Sequence, residues 1–242
     1  MDQLKTVHIT SQGKGGVFKS GAAALLTQYL RDRGHAAHAY DTDPTNATLT
    51  AFAALAATHV DVTDGNNRVD IRKFNAMVDV MSAGDGPFVV DTGATIFFSF
   101  WDYVAQTNLI EFFAGHGRRV IIHVPVMGGQ ELTETLKGLN SMAKMMPNAS
   151  IVVWLNSFHG PVVADGKTFE EFRVAQEHAA KILGVVRLDY AMGSMRALAL
   201  AGLSQTNQTF AEAMAGATLM DKHILHTVRG AIWDQLDKAM AS

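Results

Sequence analysis

The 242-residue chain contains no cysteine, so neither disulfides nor thiolate metal sites contribute to its stability or chemistry. A reducing compartment suits it. Proline is scarce, with five residues at positions 44, 87, 125, 147 and 161. Each is expected between regular elements, because proline removes a donor from helix interiors and central strands. A basic excess is also missing: 20 Lys and Arg stand against 23 Asp and Glu, for a formal charge of −3. That balance argues against a general nucleic-acid surface. No run of about 18 uncharged apolar residues is present, so no membrane span is expected. The nearest candidate, Thr95 to Phe113, is rich in aromatics but interrupted by Asp102, Gln106, Asn108 and Glu111. Met1 to Lys5 shows no charged-then-apolar leader. These absences describe a cytoplasmic protein.

What remains is an alternation of short apolar runs with helix-period segments, the pattern of an α/β protein whose mostly parallel sheet carries helices on both faces. Strands are expected at residues 6–10, 36–40, 88–90, 120–124, 151–155 and 185–188. Helices are expected at 19–33, 71–82, 101–114, 130–145, 169–183 and 219–240, with two shorter ones at 194–201 and 209–215. Gly34 suits the C-cap of the first helix. No linker or repeat interrupts the chain, so residues 1–242 form one domain of a size that buries a proper core.

The first strand runs into Ser11-Gln12-Gly13-Lys14-Gly15-Gly16-Val17-Phe18-Lys19-Ser20-Gly21, and a helical pattern follows at once. A glycine-rich loop between strand and helix wraps backbone N–H groups around an anion, where orphan donors and the helix dipole favour negative charge. It resembles the phosphate loop G-x-x-x-x-G-K-[ST], in which the lysine (Lys19) reaches the β- and γ-phosphates and the hydroxyl (Ser20) holds Mg²⁺. Residues 13–21 are therefore the expected nucleotide cradle. Phe18 stands where that pattern has glycine.

In an open α/β sheet the ligand lies beyond the carboxyl ends of the strands. Three further strand ends carry suitable groups: Asp41-Thr42-Asp43-Pro44, Asp91-Thr92-Gly93, and Asn156. Asp91 suits the orientation of a Mg²⁺-bound water. Asp43 suits the positioning of an attacking water, and Asp41 the outer shell of the metal. The alternative for both is turn formation ahead of Pro44. Asn156 offers one donor and one acceptor to an adenine edge. Asn156-Ser157-Phe158-His159 lacks the N-K-x-D arrangement that reads guanine, which favours ATP and ADP.

Lys14-Gly15-Gly16-Val17, then Lys19-Ser20 after the departure at Phe18, resembles the loop K-G-G-V-G-K-[ST] of the deviant Walker A ATPases of the ParA/MinD class. The likeness narrows to TraL-type conjugal transfer proteins of plasmids through residues 41–48, Gly128-Gly129-Gln130, residues 152–156, residues 166–170 and the terminal helix. The resemblance implies a P-loop NTPase fold and two ATP molecules sandwiched in an ATP-dependent homodimer. It also implies that Lys14 reaches the partner's nucleotide as a catalytic group beside Lys19 and Asp43, and that a plasmid-encoded partner protein reads the switch. Two other functions stay open: a non-hydrolysing nucleotide sensor, and a synthetase of the same fold, which Lys14 disfavours.

A glycine at position 18 would adopt positive φ freely, whereas phenylalanine there costs on the order of 1–3 kcal/mol if the same conformation is kept. The expected result is a nucleotide-binding protein with impaired hydrolysis. Among the remaining features, the aromatics at 97–113 are expected in the core, with a switch-controlled interface as the alternative. The terminal apolar stripe from Met220 to Met240 is expected to dock on the sheet. His8 is expected to be a satisfied interior residue and His159 to border the base pocket. His223 and His226 lack a third metal ligand.

Overall fold

The structure is a computed structural model that describes residues 5–64 and 68–241; the reading of the leader falls on Met1 to Leu4, outside them. Seven strands form one sheet: β1 (Thr6–Thr10), β2 (His38–Asp41), β3 (Thr58–His59), β4 (Phe88–Asp91), β5 (Arg119–Met127), β6 (Ser150–Asn156) and β7 (Ile182–Leu188). They lie in the order β3-β2-β4-β1-β5-β6-β7, and all pairings between neighbours are parallel. The helices are α1 (Lys19–Asp32), α2 (Phe74–Ala83), α3 (Phe97–Gln106), α4 (Leu109–Gly115), α5 (Leu132–Met145), α6 (Arg173–Glu177), α7 (Met195–Thr206), α8 (Phe210–Gly216) and α9 (Leu219–Met240).

Parallel strands covered on both faces need apolar side chains on both, and the central strands are buried almost throughout. One core packs Val7, Ile9, Val90, Ile122 and Val153 against residues of α2, α3, α4 and α5. The other packs Ala39, Val89, Ile121, Val152 and Trp154 against α1, α7, α8 and α9. Each fully buried large apolar side chain contributes about 1.5–3 kcal/mol relative to exposure. Ten of the fourteen α1 residues are buried, among them Ala22, Leu26, Tyr29 and Leu30. This helix is a buried strut that fixes the loop preceding it.

Register does the positioning. Thr10 lies opposite Asp91 and Asp91 opposite Asp41, so β1, β4 and β2 end level with one another. On the other side Met127, Asn156 and Leu188 align across β5, β6 and β7.

Several expectations need correction. Pro125 lies inside β5 rather than between elements. It is tolerated because β1 pairs with β5 only as far as Thr10 and His123, so the missing N–H faces a place where β1 has already turned away. The Pro125 carbonyl on that side accepts from Gln12 Nε2 at 2.9 Å. The helix expected at 101–114 starts earlier, at Phe97, and breaks at Asn108, whose φ of 47° ends α3 and opens α4. The helix expected at 169–183 is instead a series of short turns around α6. Phe172 is extended there, with ψ of 140°, and it and Phe169 are both buried under the crossover to β7. Short β3 was missed. Within α9, Leu225 to Met240 supply the docked stripe, whereas Met220 at the start of the helix is 65% exposed.

Candidate nucleotide-binding site

The loop after β1 is anchored from below. Gln12 is buried and its Nε2 donates to the carbonyls of Pro125 and Thr135 at 2.9 and 3.0 Å, while its Oε1 accepts from Gly13 N–H at 3.0 Å. A Cβ on Gly138 in α5 would come within 1.7 Å of that Oε1, so α5 approaches the loop through a glycine. Gly13 gives its N–H to Gln12 and does not line the cavity above, which residues 15–21 border.

Phe18 holds φ 76° and ψ 21°, the left-handed conformation that glycine takes without cost, and α1 begins on the next residue. The loop therefore closes as the glycine pattern requires, at a strain on the order of 1–3 kcal/mol. The half-buried ring packs on the α1/α9 core. It lies over Gly21: a Cβ at Gly21 would stand 2.3 Å from ring atom Cε2.

Lys19 is buried, with Nζ donating to the Lys14 carbonyl at 3.0 Å. Burial pulls its pKa down, and the nearby Asp91 and Asp43 carboxylates push it back up. Asp91 is wholly buried. Its Oδ1 accepts from Thr10 Oγ1 at 2.7 Å, the Ser20 hydroxyl is close enough to favour the charged carboxylate, and Oδ2 has no partner. Burial raises its pKa to about 7, against the Thr10 and Ser20 hydrogen bonds, which lower it.

Both aspartates at the end of β2 accept from the loop that follows, the turn-forming alternative of the sequence reading. Asp41 Oδ1 accepts from Asp43 N–H at 3.1 Å, and Oδ2 accepts from Leu49 and Thr50 N–H at 2.9 and 3.2 Å. With both oxygens accepting from the loop, Asp41 anchors residues 43–50. Asp43 accepts from Thr45 and Asn46 N–H at 2.9 and 3.0 Å and lines the cavity. Gly93 makes room for it, since a Cβ there would meet Asp43 Cγ at 2.8 Å.

A cavity of about 690 Å³ is lined by residues 15–21 and Asp43, with Asp41 and Asp91 outside its lining. One end holds Gly15, Gly16, Val17, Lys19, Ser20 and Asp43, while Phe18 borders the cavity together with Leu200 and Ser204 of α7. The other end is largely apolar and is formed by Met127, Phe158, Leu188, Tyr190, Ala197 and Leu200, with Asn156 and His159 at its edge. Asn156 Oδ1 already accepts from Phe158 N–H at 2.9 Å, which leaves its amide N–H groups for a ligand. Tyr190 was missed by sequence reasoning, although it follows the end of β7 and obeys the same strand-end rule as Asn156. Ala197 and Leu200 on α7 carried no such signal.

Lys14 is absent from the lining of this cavity; its Nζ pairs with Glu131 Oε2 at 3.0 Å on the surface. Glu131 is brought there by a close loop contact: a Cβ on Gly128 would lie 2.0 Å from the Gly160 carbonyl, and one on Gly129 would lie 2.3 Å from that of His159. Glu131 was also missed in sequence.

Two E. coli proteins, each described as Protein TraL, are 30% and 31% identical to the chain over 239 residues, covering 98% of it and 99% of each relative. The chain belongs to the TraL family. No protein-family model matches this TraL homologue. Among solved structures it is similar to MinD of Aquifex aeolicus, with a TM-score of 0.54 and 16% identity over 93% of this chain and 95% of that one. MinD of Pyrococcus furiosus gives 0.55 and 15% over 96% and 99%. Pyrococcus horikoshii MinD, solved with Mg-ADP, gives 0.54 and 14% over 96% and 97%. The fold is that of the MinD/ParA-type P-loop NTPases. Among the described residues, no helix is long and apolar enough to cross a membrane.

Proposed function

We propose that this TraL homologue binds ATP and ADP with Mg²⁺ and dimerises in the ATP state as a switch in plasmid conjugal transfer. A plasmid-encoded partner protein would read its state. The observation that carries the reading is the single cavity that runs from the phosphate loop and Asp43 to Asn156. Its charged end suits a polyphosphate and its apolar end a base. The orphaned Oδ2 of buried Asp91, beside the Ser20 hydroxyl, fits a hydrated cation better than a packed interior, where such an atom would be paired. Ser20 and Asp91 would hold Mg²⁺, which when bound supplies charge neutralisation for the phosphates.

Lys19 offers its ammonium to the same end, and Asp43 is placed to orient a water at the γ-phosphate. Lys14, held at the surface by Glu131, is available to a second copy rather than to its own cavity. An ammonium donated across an interface offsets the repulsion of two triphosphates brought together. Nucleotide-dependent pairing then needs the γ-phosphate as its differential contact. Hydrolysis is slowed by the Phe18 ring, which lines the cavity.

Calorimetry with Mg-ATP and Mg-ADP, paired with sedimentation velocity, tests this. Saturable heat with both nucleotides and a dimer with ATP alone are expected. Absence of heat at millimolar nucleotide would refute the reading.

A further inference from the structure

Phe18 breaks the phosphate-loop pattern, yet the loop keeps its closed shape. The compensation lies three residues on. The ring rests where the side chain of residue 21 would begin, and an added Cβ there would meet three ring atoms at 2.3, 2.6 and 2.8 Å. All three distances are shorter than real Cβ contacts allow, and the obstacle is a ring held in place, not a flexible chain end. Gly21 sits in the first turn of α1, where glycine is a poor helix former. Its presence there is explained by the ring.

The ring also joins two parts of the cavity. It borders the main cavity together with Leu200 and Ser204 of α7. It further borders a narrow crevice shared with Leu25, Phe52, Leu200 and Leu203. Phe18 thus spans from the phosphate loop to α7, the helix that supplies part of the apolar end.

We infer that Phe18 and Gly21 act as one unit, in which the ring, seated on the bare Cα of Gly21, walls the nucleoside half of the cavity and ties the phosphate loop to α7. The inference rests on the nucleotide-binding reading above and adds a residue pair that discriminates nucleoside from phosphate. Phosphate recognition stays with the loop N–H groups and Lys19. An aromatic face offers a ribose or base apolar contact and stacking, and offers a bare polyphosphate nothing.

The test uses the full chain and displacement of a fluorescent ADP analogue by Mg-ADP or by inorganic pyrophosphate with Mg²⁺, up to millimolar. Four proteins are compared: wild type, Phe18→Gly, Gly21→Ala and the double variant. Gly21→Ala displaces the ring and is expected to weaken Mg-ADP about tenfold, with pyrophosphate within about threefold of wild type. Phe18→Gly is expected to lose Mg-ADP affinity selectively in the same sense. In the Phe18→Gly background the alanine meets no ring, so adding it should change Mg-ADP affinity by less than about twofold and raise the melting temperature through helix propensity. A Gly21→Ala protein with wild-type Mg-ADP affinity would overturn the inference. So would equal losses for Mg-ADP and pyrophosphate, or a double variant that adds the full tenfold loss to that of Phe18→Gly. If Gly21→Ala does not fold, the ratio of the two affinities in Phe18→Gly decides alone. Wild-type protein that fails to bind Mg-ADP would overturn the nucleotide reading itself, a distinguishable result.

Discussion

Strand β1 carries two buried polar clusters two residues apart, one around His8 and one around Thr10. In the first, Trp154 Nε1–H can only donate, so His123 Nδ1 accepts at 3.0 Å. His123 Nε2–H then donates to His8 Nδ1 at 3.0 Å, and His8 Nε2–H donates to Thr6 Oγ1 at 2.9 Å. One tautomer of each ring satisfies the whole chain, and both imidazoles are neutral because burial depresses their pKa values, that of His8 to about 3. In the second cluster Thr10 bonds Asp91 Oδ1 while Oδ2 is left without a partner. Buried polar groups that serve only the fold are paired, and the unpaired Asp91 Oδ2 is the atom to which the proposed cation would bind.

Asp91→Asn tests that contrast most severely. The folded-state pKa of Asp91, near 7, lies above the ordinary 3.8, so its contribution favours folding below pH 3.8 and is lost as pH rises through 7. At about 1.4 kcal/mol per unit, the ionised group costs on the order of 4 kcal/mol above neutrality. Nucleotide-free Asp91→Asn should therefore melt several degrees above wild type at pH 8, with the gap closing toward pH 4. The same variant should lose Mg²⁺-dependent nucleotide affinity by about 30-fold or more. A lower melting temperature at pH 8 would place Asp91 with the structural cluster.

Gly93→Ala sharpens the comparison at the neighbouring carboxylate. The new methyl would meet Asp43 Cγ at 2.8 Å and displace a group held by only two N–H donors. Turnover should fall by about 10- to 100-fold, as expected for a misplaced positioning group, with Mg-ADP affinity within about threefold. Loss of binding and turnover together would instead show that the loop from Asp41 onward had collapsed.

His8→Phe breaks the satisfied cluster. It strands the His123 N–H donor, which costs about 1–3 kcal/mol in chemical denaturation. Nucleotide affinity should stay within about twofold. For wild type, depressed folded-state values mean that stability is full above the ordinary histidine pKa of 6.5 and falls as pH drops from there toward 3. The variant should show a shallower fall. Equal slopes would mean that His8 is already solvated.

How far the sequence disclosed this arrangement follows from the range of each interaction. The phosphate loop, the Asp43 and Asp91 strand ends and the α/β alternation were legible because each is local: a glycine run before a helix, a carboxylate after an apolar run. For Asp41 the sequence left metal contact and turn formation side by side, because its partners Leu49 and Thr50 depend on the fold of a loop with no periodicity. Pro125 was misplaced because only register shows that β1 has ended before it. The Phe18–Gly21 packing was half visible, since the irregular residue could be named while the position of its ring could not. Glu131 and α7 were invisible, their approach to the site being set by loop contacts across β5, β6 and β7.

Glu131→Gln carries the smallest expected effect and bears on the surface rather than the interior. Lys14 and Glu131 are roughly 40% and a third exposed, so their ion pair is worth less than about 1 kcal/mol, and the melting temperature should hardly move. Its consequence for assembly is larger than for folding if Lys14 must leave Glu131 to reach a second copy. Neutralising the glutamate then removes a competitor for the ammonium, and ATP-dependent dimerisation should strengthen by up to about fivefold in sedimentation experiments, more at low salt than at high. Lys14→Ala should abolish that gain in the same background. If Glu131→Gln weakens the dimer instead, the glutamate belongs to the interface, and the pair is a contact that persists between copies rather than one that assembly must break.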